Sequence, residues 1–228
     1  MIKFESVTKQ YPNGQVALED ITLEVKDGEF VFVVGPSGAG KSTLLKLITR
    51  EITPSSGRIF INNQDILSLP EKAIPKLRRR IGTVFQDFKL LLSRTVFENV
   101  AIPLEVMLAR DSEIEKEVSA VLEKVGILDK ANSFPAQLSG GEVQRTAIAR
   151  AIVAKPEVLL ADEPTGDLDP KTAQSVVALL EQLNKDDKTN VIMATHNVAI
   201  VDHFKKRVIG LQDGKMVKDI KEGKYESA

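Results

Sequence analysis

The sequence predicts an α/β fold in which an antiparallel β subdomain precedes a mostly parallel sheet and a helical subdomain is inserted into that sheet. Continuous apolar strands at Glu29 to Val34 and Val158 to Ala161 are typical of parallel sheets that are covered on both faces. Two amino-terminal segments alternate apolar and polar residues, as the strands of a half-exposed hairpin do. The chain between the two apolar strands contains a long stretch with helical periodicity. These three observations together indicate the fold class.

Length and composition limit what the chain can be. A chain of 228 residues can bury one substantial core, so we expect one domain with subdomains. The formal net charge of -1 argues against general nucleic-acid binding, and no nucleic-acid partner is expected. The chain has no cysteine, which fits a reducing compartment. No apolar run approaches the roughly 20 residues that cross a bilayer, and Met1 leads directly into a strand-like segment, so we expect a cytoplasmic protein.

The amino-terminal segments Ile2 to Tyr11 and Gln15 to Val25 are predicted to pair as an antiparallel hairpin. The sequence Pro12-Asn13-Gly14 between them favours a turn. Tyr11 ends the first strand, where its ring could stack on an adenine or could equally cover the core. Position alone does not separate these two interpretations.

A glycine-rich stretch follows the strand that ends at Val34, and a helix with an apolar face follows the stretch. It fits the phosphate-binding pattern G-x-x-x-x-G-K-[ST] and consists of Gly35, Pro36, Ser37, Gly38, Ala39, Gly40, Lys41, Ser42 and Thr43. Glycines let backbone N–H groups point at phosphate oxygens, the helix N-terminus adds partial positive charge, and Lys41 supplies a full charge. Ser42 is left to ligate magnesium. An ordinary glycine-rich turn is the alternative, but it rarely matches four fixed positions in this context.

The next segments are a strand at Arg58 to Ile61, a basic segment that ends at Arg78-Arg79-Arg80, and a strand at Ile81 to Phe85. Three adjacent arginines are usually a solvated face, although they could contact anionic lipid or a partner. Gln86 closes the last of these strands, and taken alone it would be a surface residue.

Residues from about 87 to 155 are predicted to form the helical subdomain, which leaves about 1–86 and 156–228 for the core and the antiparallel β subdomain. Val96 to Met107 is apolar and contains Pro103, which should break or bend a helix there. The apolar surface from Phe88 to Leu108 is either core or a docking groove, and core is expected for most of these side chains.

Two helix starts are predicted in this region. Ser112 and Glu115 form a capping-box pattern, and Ser139 and Glu142 form another. Capping does not explain Gly140 and Gly141, because each glycine costs about 1 kcal/mol inside a helix and is used where a backbone approaches something closely. The helix that begins at Ser139 therefore predicts a second anion site.

Polar residues end two of the buried strands. Asp162 and Glu163 follow Val158 to Ala161, and His196 follows Asn190 to Thr195. Ligands of open α/β sheets lie beyond the carboxyl ends of the strands. Asp162 can hold magnesium, Glu163 can orient and deprotonate the attacking water, and His196 can bond a γ-phosphate. The alternatives are a pair of solvated acids and a packed structural histidine.

After Glu163 the chain is predicted to turn through Thr165 to Pro170 and to form a helix up to Asn184. Beyond His196, the segments Arg207 to Gln212 and Lys215 to Val217 are predicted to pair as a hairpin around Asp213-Gly214.

Together these residues resemble the motifs of the ATP-binding cassette (ABC) ATPases over nearly the whole chain. The matching motifs are the phosphate loop, the Q-loop at Gln86, the signature motif at Leu138 to Glu142, the end of the Walker B strand at Asp162-Glu163, the D-loop at Asp169 and the switch histidine at His196. The resemblance implies a P-loop NTPase with a RecA-like core that binds ATP and Mg²⁺. It also implies catalysis by Glu163 with His196 and Gln86, and it makes Gln86 a further magnesium ligand beside Ser42 and Asp162.

The resemblance further implies a homodimer that closes head to tail around ATP. Each nucleotide is then held between the phosphate loop of one chain and Ser139, Gly140 and Gly141 of the other. Asp169 is expected at the dimer contact.

A finer resemblance is to the cell-division branch of the family, through Phe85 to Leu91, Arg94 to Val96 and Asn99 to Leu104. Thr165 to Asp169 resembles that branch and also the lipoprotein-release and macrolide-export branches. The cell-division branch implies an integral membrane partner that docks beside Gln86 to Leu104 and holds the chain at the inner face of the cell membrane. The alternatives are a transport motor and a soluble DNA-maintenance ATPase, and the latter would carry a long heptad insertion that this sequence lacks.

Overall fold

A computed structural model describes residues 1–221 and 223, and ten strands and seven α-helices lie in that part of the chain. The strands are β1 (Ile2–Gln10), β2 (Val16–Val25), β3 (Phe30–Val34), β4 (Ser56–Ile61), β5 (Gln64–Asp65), β6 (Ile81–Val84), β7 (Val158–Asp162), β8 (Asn190–Thr195), β9 (Arg207–Gln212) and β10 (Lys215–Ile220). The helices are α1 (Lys41–Ile48), α2 (Ile74–Arg79), α3 (Val96–Val106), α4 (Asp111–Lys124), α5 (Gly140–Ile152), α6 (Pro170–Asp187) and α7 (Val198–Phe204). The end of the range predicted for the core, at residues 222 and 224–228, lies outside the described residues.

The strands form two sheets, as the sequence predicts. The smaller sheet is antiparallel, has the order β2-β1-β4-β5 and contains the predicted amino-terminal hairpin. The larger sheet has the order β10-β9-β3-β8-β7-β6; β9, β3, β8, β7 and β6 run parallel, and β10 is antiparallel to β9. The predicted α/β fold with an antiparallel β subdomain is thus confirmed.

The larger sheet is buried on both faces, and β3 shows why its sequence is continuously apolar. Phe30, Phe32 and Val34 pack into a core shared with the helices. Val31 and Val33 point the other way, into a core shared with the smaller sheet and α1. Each fully buried side chain of this kind stabilises the fold by about 1.5–3 kcal/mol. The two cores fix the ends of β3, β7 and β8 at one edge of the sheet.

Between β6 and β7 the described chain forms α3, α4 and α5 together with short 3₁₀ turns. The helix α3 packs against both α4 and α5. Pro103 does not break α3, which runs three residues past it to Val106. Proline lacks an N–H donor and its ring crowds the carbonyl four residues earlier, but its own carbonyl still accepts the Met107 N–H at 3.2 Å, so the last turn forms.

The predicted capping box at Ser112 and Glu115 is wrong. The helix α4 begins at Asp111, and its N-cap residue Arg110 makes no side-chain capping bond. The Arg110 carbonyl instead accepts the N–H groups of Glu113 and Ile114, each at 2.9 Å. Ser112 therefore lies inside the first turn, where Asp111 and Glu113 complement the helix dipole.

No helix in residues 1–221 has both the length and the apolar character that crossing a membrane requires.

Candidate active site

The carboxyl ends of β3, β7 and β8 meet beside a cavity of about 680 Å³. Its wall contains Tyr11, Gln15, Ala17, Pro36, Ser37, Gly38, Gly40, Lys41, Ser42, Thr43, Gln86, Glu163 and His196. Most residues that the sequence assigns to nucleotide binding and catalysis therefore lie around one space. Gly35, Ala39 and Asp162 are not in the wall; Gly35 and Ala39 are buried behind it.

Two glycines of the phosphate loop have conformations and neighbours that exclude any other residue. At Gly35, φ is 153° and an added Cβ would lie 2.2 Å from the carbonyl oxygen of Leu211 in β9. At Gly40, φ is 105° and an added Cβ would lie 2.5 Å from the carbonyl oxygen of Ala17. Both φ values are in the region that favours glycine. The loop thus turns from β3 into α1 in contact with both sheets, and the N-terminus of α1 faces the cavity.

Lys41 is held inside the phosphate loop. Its Nζ donates to the carbonyl oxygens of Gly35 at 2.8 Å and Pro36 at 3.1 Å. The same ammonium group lies 3.7 Å from Oε1 of Glu163, and only 8% of the Lys41 side chain is exposed. The two carbonyl acceptors of this ammonium group are neutral. Its hydrogen bonds to a phosphate group would be stronger, because donor and acceptor would then both be charged.

Ser42 in the cavity wall and Asp162 at the end of β7 form a pair of possible oxygen ligands for a metal ion. The Ser42 hydroxyl donates to Oδ1 of Asp162 at 3.1 Å. Burial raises the pKa of Asp162, and the hydrogen bond from Ser42 opposes this effect. Mg²⁺ prefers oxygen ligands, takes one or two from the protein and keeps several waters. The pair fits that ion, and the described residues contain no cluster of three or more His, Asp or Glu side chains that would hold a metal by themselves.

Glu163 lies between Lys41 and His196. Its Oε1 lies 2.9 Å from Nδ1 of His196, and its Oε2 accepts the His196 backbone N–H at 3.3 Å. The φ of Glu163 is 48°, a conformation that costs a non-glycine residue on the order of 1–3 kcal/mol and is found most often at functional sites. Its N–H donates to the Ala194 carbonyl at 3.0 Å, which ties this turn to β8. The carboxylate is therefore positioned by its backbone and by two polar neighbours.

Tyr11 contacts the phosphate-loop helix. Its hydroxyl lies 3.3 Å from Oγ1 of Thr43, and Nζ of Lys9 lies 5.3 Å from its ring centre. The ring is half-buried in the cavity wall, and its stacking on an adenine stays a prediction. Gln15 and Ala17 line the same wall and were not among the predicted site residues. The predicted turn at Pro12-Asn13-Gly14 could have indicated them, since it brings the start of β2 beside Tyr11.

The signature segment lies away from this cavity. Ser139 caps α5, its N–H donates to Oε2 of Glu142 at 2.8 Å, and these bonds lower the pKa of Glu142. The capping box predicted here is thus present. An added Cβ on Gly141 would lie 2.8 Å from Cγ2 of Thr172, so the close approach predicted for this glycine is made in part by α6 of the same chain.

Asp169 is the N-cap of α6. Its Oδ1 accepts the N–H groups of Lys171 and Thr172, each at 3.1 Å. Hydrogen bonds from Thr172 lower the pKa of Asp169. The residue thus has a structural role within the chain, and its expected dimer contact stays a prediction.

Two residues that the sequence analysis missed fix the backbone after Gln86. Arg150 of α5 donates through Nη2 to the Phe88 carbonyl and through Nη1 to the Lys89 carbonyl, both at 2.6 Å. Asn99 of α3 is fully buried and bonds both backbone groups of Leu91, with distances of 2.8 and 3.0 Å. Its Nδ2 also donates to two further carbonyls, those of residues 94 and 95. Backbone acceptors have no residue-type pattern, so the sequence held no indication of these contacts.

A family model described as "ABC transporter" matches residues 18–166 of the chain. The curated proteins named "Cell division ATP-binding protein FtsE" include one from Bacillus subtilis (strain 168), which is 54% identical over 100% of this chain and 99% of its own length. The protein of that name from Escherichia coli (strain K12) is 50% identical over 94% of this chain and 96% of its own length.

Solved structures of ATP-binding cassettes also match this chain. The dimeric structure of a bacterial ABC transporter cassette is 39% identical, with a TM-score of 0.88 over 99% of this chain and 100% of that chain. A dimeric post-hydrolysis ATP-binding cassette bound to ADP and Pi is 38% identical, with a TM-score of 0.88 and the same coverage. The ordered motifs, the two-sheet fold and these matches confirm the resemblance drawn from sequence, and the chain belongs to the ABC transporter family as an ATP-binding cassette.

Proposed function

We propose that the chain is the ATP-hydrolysing subunit of a membrane complex that acts in cell division. The observation that carries the proposal is the convergence of Lys41, Ser42, Glu163 and His196 on one cavity, with Asp162 hydrogen-bonded to Ser42 beside it. The cell-division assignment rests on full-length relatives named FtsE, at 54% and 50% identity.

The contacts in the cavity support one distribution of roles. Lys41 and the N–H groups at the start of α1 bind the β- and γ-phosphates. Glu163 accepts a proton from water as that water attacks the γ-phosphorus, the bond to the β-phosphate oxygen breaks, and ADP and phosphate leave. His196 holds Glu163 in place and bonds the γ-phosphate. Ser42 and Asp162, with the Gln86 amide oxygen, would hold Mg²⁺, which neutralises charge on the phosphates when bound.

Exposure of the signature helix supports a dimer. Ser139 and Gly140 are exposed and lie outside the wall of the cavity in their own chain. A second copy, related head to tail, would bring this helix N-terminus to the γ-phosphate, where its dipole favours negative charge. Each closed pair would then contain two composite sites.

We propose that the membrane partner resembles FtsX and docks beside Gln86 to Leu104. Exposed apolar side chains lie within this segment and just after it, among them Leu92 at 73% and Leu108 at 91%. ATP favours the closed dimer, and hydrolysis allows the dimer to open. The membrane partner would change conformation as the dimer closes and opens, and this change would activate cell-wall hydrolases on the other side of the membrane. The chain itself would remain peripheral, at the cytoplasmic face. The identity of the co-purifying membrane subunit distinguishes this function from a transport motor.

Replacing the proposed base tests the catalytic assignment. The Glu163→Gln variant should bind ATP normally but hydrolyse it roughly 100-fold or more slowly, because the amide cannot accept the proton. With ATP and Mg²⁺ it should then elute from size-exclusion chromatography as a dimer. Glu123→Gln, on the exposed face of α4, is the matched control and should hydrolyse ATP at the parent rate. Hydrolysis by Glu163→Gln at the parent rate would refute the role.

A further inference from the structure

His196 lies in the short turn between β8 and α7, and packing does not hold its side chain. The side chain is 66% exposed, and its Nδ1 lies 2.9 Å from Oε1 of Glu163. An exposed side chain changes rotamer readily, so one contact of this kind does not fix a ring. The direction of the His196 ring therefore depends on the backbone that carries it.

The backbone of His196 is joined to Glu163 by a long hydrogen bond. The His196 N–H donates to Oε2 of Glu163 at 3.3 Å, beyond the usual range of about 2.7–3.2 Å. In the other direction, the Glu163 N–H donates to the Ala194 carbonyl at 3.0 Å. These bonds join the chain after β7 to the end of β8, but they leave the course of the turn at His196 to a further contact.

Thr195 supplies that contact. It is the last residue of β8 and is fully buried, and its hydroxyl oxygen accepts the Asn197 N–H at 3.0 Å. A hydroxyl that accepts the N–H two residues later closes a small local turn. Asn197 in turn caps α7, because its Oδ1 accepts the Ile200 N–H at 3.2 Å. Both neighbours of His196 are thus fixed, the first in a strand and the second at the start of a helix.

Thr195 is also placed relative to the phosphate loop. In the parallel pairing of β3 with β8 it lies opposite Val34, the residue before Gly35. Threonine is branched at Cβ, so its χ1 is restricted, and inside a close-packed core its hydroxyl has a defined position. One strand register therefore relates the phosphate loop, the Thr195 hydroxyl and the turn that carries His196.

We propose that Thr195 is a positioning residue for ATP hydrolysis and acts through His196. Its hydroxyl holds the Asn197 N–H, the turn directs the His196 ring at Glu163, and the ring holds the carboxylate in place beside the γ-phosphate. The inference rests on the proposed function and adds a residue to it. ATP itself is bound by the phosphate loop, so loss of the hydroxyl should slow the chemical step and leave ATP binding nearly unchanged.

Replacing Thr195 by valine tests the inference, because valine has nearly the same shape and lacks the hydroxyl. With the full chain, ATP and Mg²⁺, Thr195→Val should lower kcat roughly tenfold or more and leave the KM for ATP within about twofold of the parent value. Thr195→Ser keeps the acceptor and should retain at least about half of the parent kcat. A parent-level kcat for Thr195→Val would overturn the inference and leave the proposed function standing.

A double-mutant comparison separates positioning from a general loss of structure. If Thr195 acts through His196, Thr195→Val should cause no further loss of rate in a His196→Ala background, measured as phosphate release in a single turnover with enzyme in excess. An equal fractional loss in both backgrounds would show that Thr195 acts independently of His196, which overturns the inference. Parent-level hydrolysis by His196→Ala would refute the proposed role of His196 and the inference together, and the result for Glu163→Gln would still stand.

Thr189→Val is the matched control. Thr189 lies just before β8, at the end of the strand away from His196; it is buried, and its hydroxyl donates to the Pro156 carbonyl at 3.2 Å. Its replacement also removes one buried hydroxyl, so it should lower the thermal midpoint by a few degrees, as Thr195→Val does, but keep the parent kcat. An equal loss of kcat in the two variants would make the effect one of stability and overturn the inference.

Discussion

Lys41 and Glu163 act as partners of each other before any phosphate arrives. The ammonium group of Lys41 lies 3.7 Å from the Glu163 carboxylate, which also accepts the backbone N–H of His196 and lies 2.9 Å from its Nδ1. A triphosphate offers Lys41 more negative charge than one carboxylate does, so we expect its ammonium group to transfer to the phosphates on binding. Glu163 would then keep only His196 as a neighbour and be free to accept a proton from water.

Asp162 gives a pH-dependent prediction. Burial raises its pKa in the folded chain, so keeping it ionised near pH 7 costs folding free energy, and below the unfolded pKa of about 4 the cost disappears. Without divalent cations, Asp162→Asn should therefore melt at a higher temperature than the parent at pH 7, and the difference should shrink as the pH falls toward 4. Differential scanning calorimetry across this range measures it.

Asp169→Asn is a control variant for which the expected change in melting temperature has the opposite sign. Hydrogen bonds from Thr172 lower the pKa of Asp169, so its ionised form stabilises the fold at neutral pH, and that contribution is lost as the pH falls through the folded pKa. This variant should melt below the parent at pH 7. A difference for Asp162→Asn that stays the same at every pH would contradict the assigned cause.

At the scale of elements, α5 connects the two functional surfaces. Ser139 caps its first turn, and Arg150 near its other end holds the carbonyls of Phe88 and Lys89. Phe88 and Lys89 have positive φ values of 54° and 51°, so this segment has an unusual backbone conformation, which Arg150 stabilises. A shift of α5 caused by nucleotide at its N-terminus would therefore move the segment after Gln86.

Asn99 is predicted to stabilise the same segment from α3. Asn99→Ala should lower the free energy of unfolding by about 2–4 kcal/mol, because it removes four hydrogen bonds from buried or half-buried backbone groups. Urea denaturation measures the loss. Glu105→Gln, on the exposed side of the same helix, should change it by less than about 0.5 kcal/mol. Equal losses for the two variants would show that the amide is not what holds the segment.

The contrast between Ser139 and Asn99 shows what the sequence can predict. The capping box at Ser139, the phosphate loop and the strand that ends at Asp162 depend on residues adjacent in sequence, so their patterns were visible. The roles of Asn99 and Arg150 depend on carbonyls that approach only in the folded chain. The same local pattern gave a wrong prediction of a capping box at Ser112, because α4 begins at Asp111, one residue earlier.

At the scale of the whole molecule, two copies should share their sites. Lys41→Ala removes the phosphate loop's charge, and Ser139→Arg blocks the helix N-terminus, so each variant alone should be inactive. Random pairing of equal amounts makes half of the dimers mixed, and each mixed dimer has one intact site of two. The mixture should therefore recover about a quarter of the parent ATPase rate, provided that one site suffices.

A colorimetric phosphate assay on the mixed variants measures this recovery. Mixing Lys41→Ala with a second phosphate-loop variant, such as Ser42→Ala, is the control and should recover nothing. If the Lys41→Ala and Ser139→Arg mixture is as inactive as its components, the signature segment does not complete its partner's site.

The contact between Gly35 and β9 determines where movement can occur. Because a side chain at this position would meet the Leu211 carbonyl, the start of the phosphate loop can pack directly on β9. We therefore expect the loop and the central sheet to move together during a turnover cycle. Displacement is then expected in α5 and the segment after Gln86, which Arg150 joins to each other.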